Sequence, residues 1–246
     1  MDSTNSVQLR LEPLFPLALA RVQLRPDPWD SAILMQEVLS LRGDAEGNPE
    51  PGCAWTGDLN GIWQLHRQEP FQWLRHQVEQ QAWLYLEALG FESARIALHI
   101  QRSWPVVSDV GQVVGRHHHP NAHLSAIYYL NGDGSGRSGC LRLFPRQQAN
   151  ELVPGLAVGH GGPLRPDTPA AQLWNAPWLD VAPQAGLLVL FPASTDHAVT
   201  ANEDADEVRL SVAFDLALTA PLAQADDPAP PEYLAPHPAQ WTTLDV

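Results

Sequence analysis

Lysine is absent from all 246 residues, and the 14 basic side chains are therefore all arginine. That absence excludes Schiff-base chemistry, pyridoxal enzymes and the lysine of a phosphate-binding P-loop. Two cysteines, Cys53 and Cys140, are too few for a disulfide framework or a thiolate zinc site, so a reducing cytoplasm is the expected compartment. Positive charge is also scarce: the formal net charge is −14. A nucleic-acid binder needs cations to displace counterions from phosphates, and an anionic bilayer attracts the same cations. No nucleic acid and no membrane partner is therefore expected. No apolar run reaches the roughly 20 residues of a membrane span. The apolar stretch Leu14–Ala20 has Glu12 before it and Pro13 and Pro16 within or beside it. We read it as a first strand and not as a signal segment.

What is present is globular in composition, with 44 % hydrophobic and 17 % charged residues. Residues 27–42 predict a helix: Asp27 can cap it, Pro28 suits its first position, Ile33, Leu34, Val38 and Leu41 form a stripe, and Gly43 stops it. A second helix is predicted over 70–89, where Phe71, Leu74, Val78, Ala82, Tyr85 and Leu89 recur at three- and four-residue steps and Gly90 follows. Trp73 and Trp83 read as core residues of this helix.

Beyond Gly90 the period becomes two. Arg95–Val107, Leu124–Leu130, Cys140–Phe144, Gly186–Phe191 and Val208–Leu216 read as strands separated by turn residues. Residues 147–182 form a long Pro/Gly-rich insertion, and the tail 219–246 reads as loosely attached. The expected architecture is mainly β with flanking helices: one jelly-roll domain over 1–218, with its core at 95–218, followed by the tail.

Four histidines fall in the segment His117-His118-His119-Pro120-Asn121-Ala122-His123, and His197 follows the strand at Gly186–Phe191. An H-x-H pair at a strand end projects two imidazoles to one face, and His197 can add a third from a distant strand. Three ligands on one face leave the other open, as non-haem Fe(II) chemistry requires. A histidine tract taken alone also fits a solvated turn. His66, His76, His99, His160 and His237 have no such company and read as structural or surface residues.

In the strand Val208–Phe214, Arg209 and Ser211 share a face. An arginine in an apolar strand is costly unless an anion pairs with it, and its planar fork suits a carboxylate. An ion-paired arginine at a sheet edge is the plainer alternative. Ser211 and Tyr129 could add hydroxyl donors to the same carboxylate.

Together these segments resemble the 2-oxoglutarate/Fe(II)-dependent oxygenases, in particular their prolyl-hydroxylase-like branch. The resemblance spans about Ser103 to Leu216 and is carried by His117-His118-His119-Pro120, Leu124–Asn131, Gly139–Phe144, Gly186–Pro192 with Asp196-His197, and Arg209-Leu210-Ser211. It implies a double-stranded β-helix and a hydroxylase that uses Fe(II), O2 and 2-oxoglutarate on a small-molecule or peptide substrate, releasing succinate and CO2. It assigns His117 and His197 to the metal, and Arg209, Ser211 and Tyr129 to the far carboxylate of 2-oxoglutarate.

The family's usual H-x-D motif is broken here, because His119 stands where the carboxylate belongs. The third ligand is then His119, a water or added anion, or Asp196, although a neighbour of His197 on an extended chain points away from it. The insertion, with Trp174 and Trp178, reads as a lid or a surface decoration, and His118 and Asn121 as lining the mouth or shaping the turn. Two other readings compete. One is a cupin-type three-histidine dioxygenase or isomerase without 2-oxoglutarate. The other is a non-catalytic β-sandwich binding module.

Overall fold

In a computed structural model, residues 17–43, 50–145, 176–223 and 234–244 are described. Helix α1 (Pro28–Arg42) begins where the side chain of Asp27 accepts the backbone N–H of Asp30 at 2.8 Å, and Gly43 closes it with φ of 53°. Helix α2 (Gln72–Ala88) buries Leu74, Val78, Ala82, Tyr85 and Leu86. Leu89, predicted to close this stripe, is instead 47 % exposed, because it caps the helix and lies past its last turn. Trp73 packs edge-on against Tyr128 at 6.0 Å, and both Trp73 and Trp83 lie against the core as expected.

The strands form two antiparallel sheets. The larger contains β1 (Ala20–Gln23), β2 (Trp55–Thr56), β3 (Ala97–Ser108), β5 (Leu124–Tyr129), β8 (Leu187–Pro192) and β10 (Arg209–Thr219), in the order β1-β8-β5-β10-β3-β2. The smaller contains β4 (Val114–His117), β6 (Leu141–Leu143), β7 (Leu179–Val181) and β9 (His197–Val199), in the order β4-β9-β6-β7. Two such sheets with interleaved chain order make the double-stranded β-helix. Of the predicted first strand, residues 17–20 are described and Ala20 opens β1; Leu14, Phe15 and Pro16 lie outside the described residues.

Alternation along the strands separates two cores. From β10, Leu210, Val212, Phe214, Leu216 and Leu218 enter the core beneath the helices. From β8, Leu188 and Leu190 enter that core, while Leu187, Val189 and Phe191 enter a second one between the sheets. A strand buried on both faces reads as an unbroken apolar run, which is the pattern of Leu187–Phe191. Each such buried Leu, Val or Phe contributes about 1.5–3 kcal/mol by leaving water. This packing frees the opposite face of β10 for polar residues: Arg209, Ser211, Ala213 and Asp215 all turn toward the space between the sheets.

Most of the insertion, including Trp174, lies outside the described residues. Its end forms the edge strand β7, and Arg142 stacks over Trp178 at 4.2 Å. Part of the tail differs from the expectation of loose attachment. The backbone N–H of Ala220 donates to Ala235 O at 2.8 Å, and the His237 ring meets His99 at 4.9 Å. Among the described residues no helix is long and apolar enough to cross a membrane.

Candidate metal centre and anion pocket

Strand β4 ends on His117, and β9 begins on His197; the two are direct partners across the pair. His119 lies two residues past the end of β4, so the period of two alone does not place it. Its backbone N–H donates to Ala193 O at 2.9 Å, which ties the turn to the end of β8 and holds the imidazole over the gap between the sheets. The ligating atoms of His117, His119 and His197 all lie within 4.8 Å of one another. The distal histidine and the H-x-H pair are thus brought together as the sequence suggested. Asp196 is not part of this cluster: it accepts from Arg116 at 2.8 and 3.1 Å and lies 3.3 Å from His118 Nδ1.

The hydrogen bonds fix which nitrogen of each ring is free. His117 Nδ1 faces Gly115 O at 2.7 Å, and His197 Nδ1 faces Thr195 O at 2.9 Å. His119 Nδ1 faces the carboxylate of Asp215. A carbonyl and a carboxylate only accept, so each Nδ1 carries its proton and each Nε2 carries a lone pair. His117 Nε2 and His119 Nε2 are nevertheless 3.1 Å apart. Two lone pairs at that separation repel unless a cation lies between them. Burial, reinforced by the neighbouring imidazoles, pushes His197 down to about 3, and burial also lowers His117, so both are neutral at pH 7 as metal ligands must be. The donor set fits a divalent transition metal.

Arg209 is 2 % exposed. Its Nη1 donates to Ser138 O at 2.8 Å, whereas Nη2 is buried without a hydrogen-bond partner. Burial pulls its guanidinium below the ordinary arginine value, yet arginine stays charged in proteins. A buried cation with a free donor calls for an anion. Ser211 lies opposite Tyr129 in the β10–β5 pair, and both line the same cavity as Arg209. Burial raises the Tyr129 phenol, so it remains a neutral donor. The cavity, about 630 Å³, also takes in His117, His119 and His197.

The sequence reading missed three residues here. Gly139 has φ of 89°, and a Cβ there would run into Thr200 O and the Nη1 of Arg209, so only glycine lets the guanidinium pass. Asp215 and Arg102 were also missed, though Asp215 is charged in an apolar strand and sits on the face of Arg209 and Ser211. Of the turn residues, Asn121 donates to Asp215 at 3.0 Å and His118 faces Asp196.

Residues 102–215 match the family described as "Putative 2OG-Fe(II) oxygenase". No curated protein matches the sequence. Among solved structures, the fold is similar to the non-heme alpha-ketoglutarate-dependent epimerase SnoN from nogalamycin biosynthesis, at 17 % identity and a TM-score of 0.57, covering 90 % of this chain and 91 % of that one. It is similar to the carbocyclase SnoK from nogalamycin biosynthesis at 17 % identity and a TM-score of 0.55, covering 83 % and 82 %. A Pseudomonas putida prolyl-4-hydroxylase shows 18 % identity and a TM-score of 0.50, covering 81 % and 92 %. At these identities the likeness is one of fold; the family match covers the segment that runs from β3 into β10 and holds the histidine cluster and Arg209. That match covers a little under half of the chain, and over it the sequence is similar to the 2-oxoglutarate/Fe(II)-dependent oxygenases.

Proposed function

We propose that this protein is a 2-oxoglutarate-dependent oxygenase that holds Fe(II) with His117, His119 and His197 in place of the usual two histidines and a carboxylate. One observation carries the reading: three free imidazole nitrogens and a buried guanidinium with an unused donor open into one cavity. When bound, the iron and 2-oxoglutarate supply the oxidising chemistry: O2 is consumed, 2-oxoglutarate becomes succinate and CO2, and one oxygen atom enters a substrate C–H bond.

The chain's own residues bind, orient and exclude water. Arg209 takes the far carboxylate of 2-oxoglutarate through Nη2, while its bond to Ser138 O keeps the fork from turning away. Ser211 and Tyr129 donate neutral hydrogen bonds to the same carboxylate. Trp104, Ile127 and Ala213 wall the cavity with apolar surface, which keeps bulk water from the reacting atoms. The remaining volume takes a small molecule or a peptide side chain, together with O2. Residues 1–218 act as one oxygenase domain, with 147–182 an insertion and 219–246 a tail. The two free cysteines, Cys53 and Cys140, suit a reducing cytoplasm.

A cupin-type three-histidine enzyme would use the same metal ligands but leaves the Arg209 donor without a purpose. The test is conversion of 2-oxoglutarate to succinate with Fe(II) and O2. Iron-dependent succinate release by the wild type, lost in Arg209→Met, supports the oxygenase; turnover of other substrates with no succinate favours the cupin-type reading.

A further inference from the structure

Three imidazoles converge, but only one has an anion behind it. His117 and His197 rest on neutral backbone carbonyls, whereas His119 rests on Asp215. Asp215 is fully buried on β10, next to the bulge at Asp215/Leu216. Its Oδ2 accepts from Arg102 Nε at 2.9 Å, from Arg102 Nη2 at 2.5 Å and from Asn121 Nδ2 at 3.0 Å. Asn121 is itself held by Gln101 Oε1 at 3.1 Å. Three donors on Oδ2 fix the carboxylate plane and leave Oδ1 for the His119 Nδ1–H. The ring of His119 therefore cannot turn over without breaking a buried charged contact, and its Nε2 is committed to the cluster.

Building on the three-histidine reading, we infer that Asp215 is a positioning residue for the metal: it fixes the tautomer and orientation of His119 and lends that neutral ligand the negative charge which a carboxylate ligand would have brought directly. The charge lies one side chain behind the ligand, on the strand that also carries Arg209. Arg102 anchors it from β3; its guanidinium packs over Trp104 at 4.9 Å and lies 3.8 Å from Asp58. A single strand face, Arg209-Ser211-Ala213-Asp215, thus serves the anion pocket at one end and the metal at the other.

The test compares Co(II) affinity by optical titration in the wild type, Asp215→Asn, His119→Ala and the double variant. Losing the outer partner of a metal-bound histidine costs about 10–100-fold in metal affinity. Asp215→Asn should weaken Co(II) by that factor, and by less than about 2-fold when His119 is already alanine, since the effect runs through that ring. Equal affinity in Asp215→Asn, or an equal loss in both backgrounds, overturns the inference.

A second measurement needs no variant to fold. In the metal-free wild type, the nitrogen-15 spectrum of His119 should show the Nδ1–H tautomer with a strongly downfield ring proton. An Nε2–H tautomer overturns the assignment. If the wild type itself takes up no Co(II) at one per chain, it is the three-histidine site that fails; if it does and Asp215→Asn binds as tightly, only the role of Asp215 fails.

Discussion

His117 and His197 face each other as direct cross-strand partners, with ring centroids 4.3 Å apart. The contact between two distant parts of the chain is therefore set by the register of β4 on β9, not by a flexible loop. His197→Ala removes one Nε2 and leaves Thr195 O without its donor, at a stability cost of about 1–3 kcal/mol. The variant should fold yet hold well under one metal ion per chain. Undiminished metal content after dialysis against Co(II) would contradict the assignment.

Arg209→Met should separate folding from binding. Burying an unpaired charge costs several kcal/mol, whereas freeing Ser138 O costs about 1–3 kcal/mol. The metal-free variant should therefore melt no lower than the wild type. Its affinity for 2-oxoglutarate should fall by at least about 30-fold, the equivalent of roughly 2 kcal/mol. Calorimetric titration with 2-oxoglutarate checks the second half, and unchanged affinity would mean that Arg209 serves another group.

Gly139→Ala tests how the guanidinium reaches its place. A positive φ costs a non-glycine residue roughly 1–2 kcal/mol, and the added methyl also meets Thr200 O and Arg209 Nη1. Chemical denaturation should show a loss of more than about 2 kcal/mol, with weakened 2-oxoglutarate binding. A neutral result would mean that Arg209 can shift freely, against its fixed contact to Ser138.

Much of this site was readable from residue type and period. The H-x-H pair, the histidine after the β8 run and the arginine in an apolar strand each broke a local pattern in a way that called for a ligand. Asp215 is as out of place in this apolar strand as Arg209, six residues on and on the same face, but its partner is visible only in the fold. Arg102 was hidden for the opposite reason, since its strand also carries His99 and Gln101, so one more polar residue breaks no apolar pattern there. Gly139 gave no signal, because only its φ and the passing side chain distinguish it from any turn glycine. The stripe of α2 was correct as far as Tyr85, left out the buried Leu86 and failed at Leu89, where periodicity cannot tell a last turn from a cap.

Acid sensitivity should come in part from outside the metal centre. His66 is buried with Nδ1 at 2.7 Å from Ser103 Oγ, and burial, aided by Arg67 and Arg75, holds its pKa below the ordinary histidine value. The unfolded chain takes up a proton near pH 6.5 that the folded chain refuses until lower pH. Below that point the unfolded state binds more protons, so stability falls as pH falls and is restored as pH rises through about 6.5. His66→Gln should flatten this decline between pH 6.5 and 5 in melting curves of the metal-free protein. An unchanged slope would place the sensitivity elsewhere.

The central claim is that metal and 2-oxoglutarate share one cavity, held by the imidazoles at one side and Arg209 at the other. Calorimetric titration of 2-oxoglutarate into the protein with and without Mn(II) tests it most directly. The account predicts one 2-oxoglutarate per chain, bound at least about tenfold more tightly when Mn(II) is present. Binding that is indifferent to the metal, or no binding in either state, would contradict it.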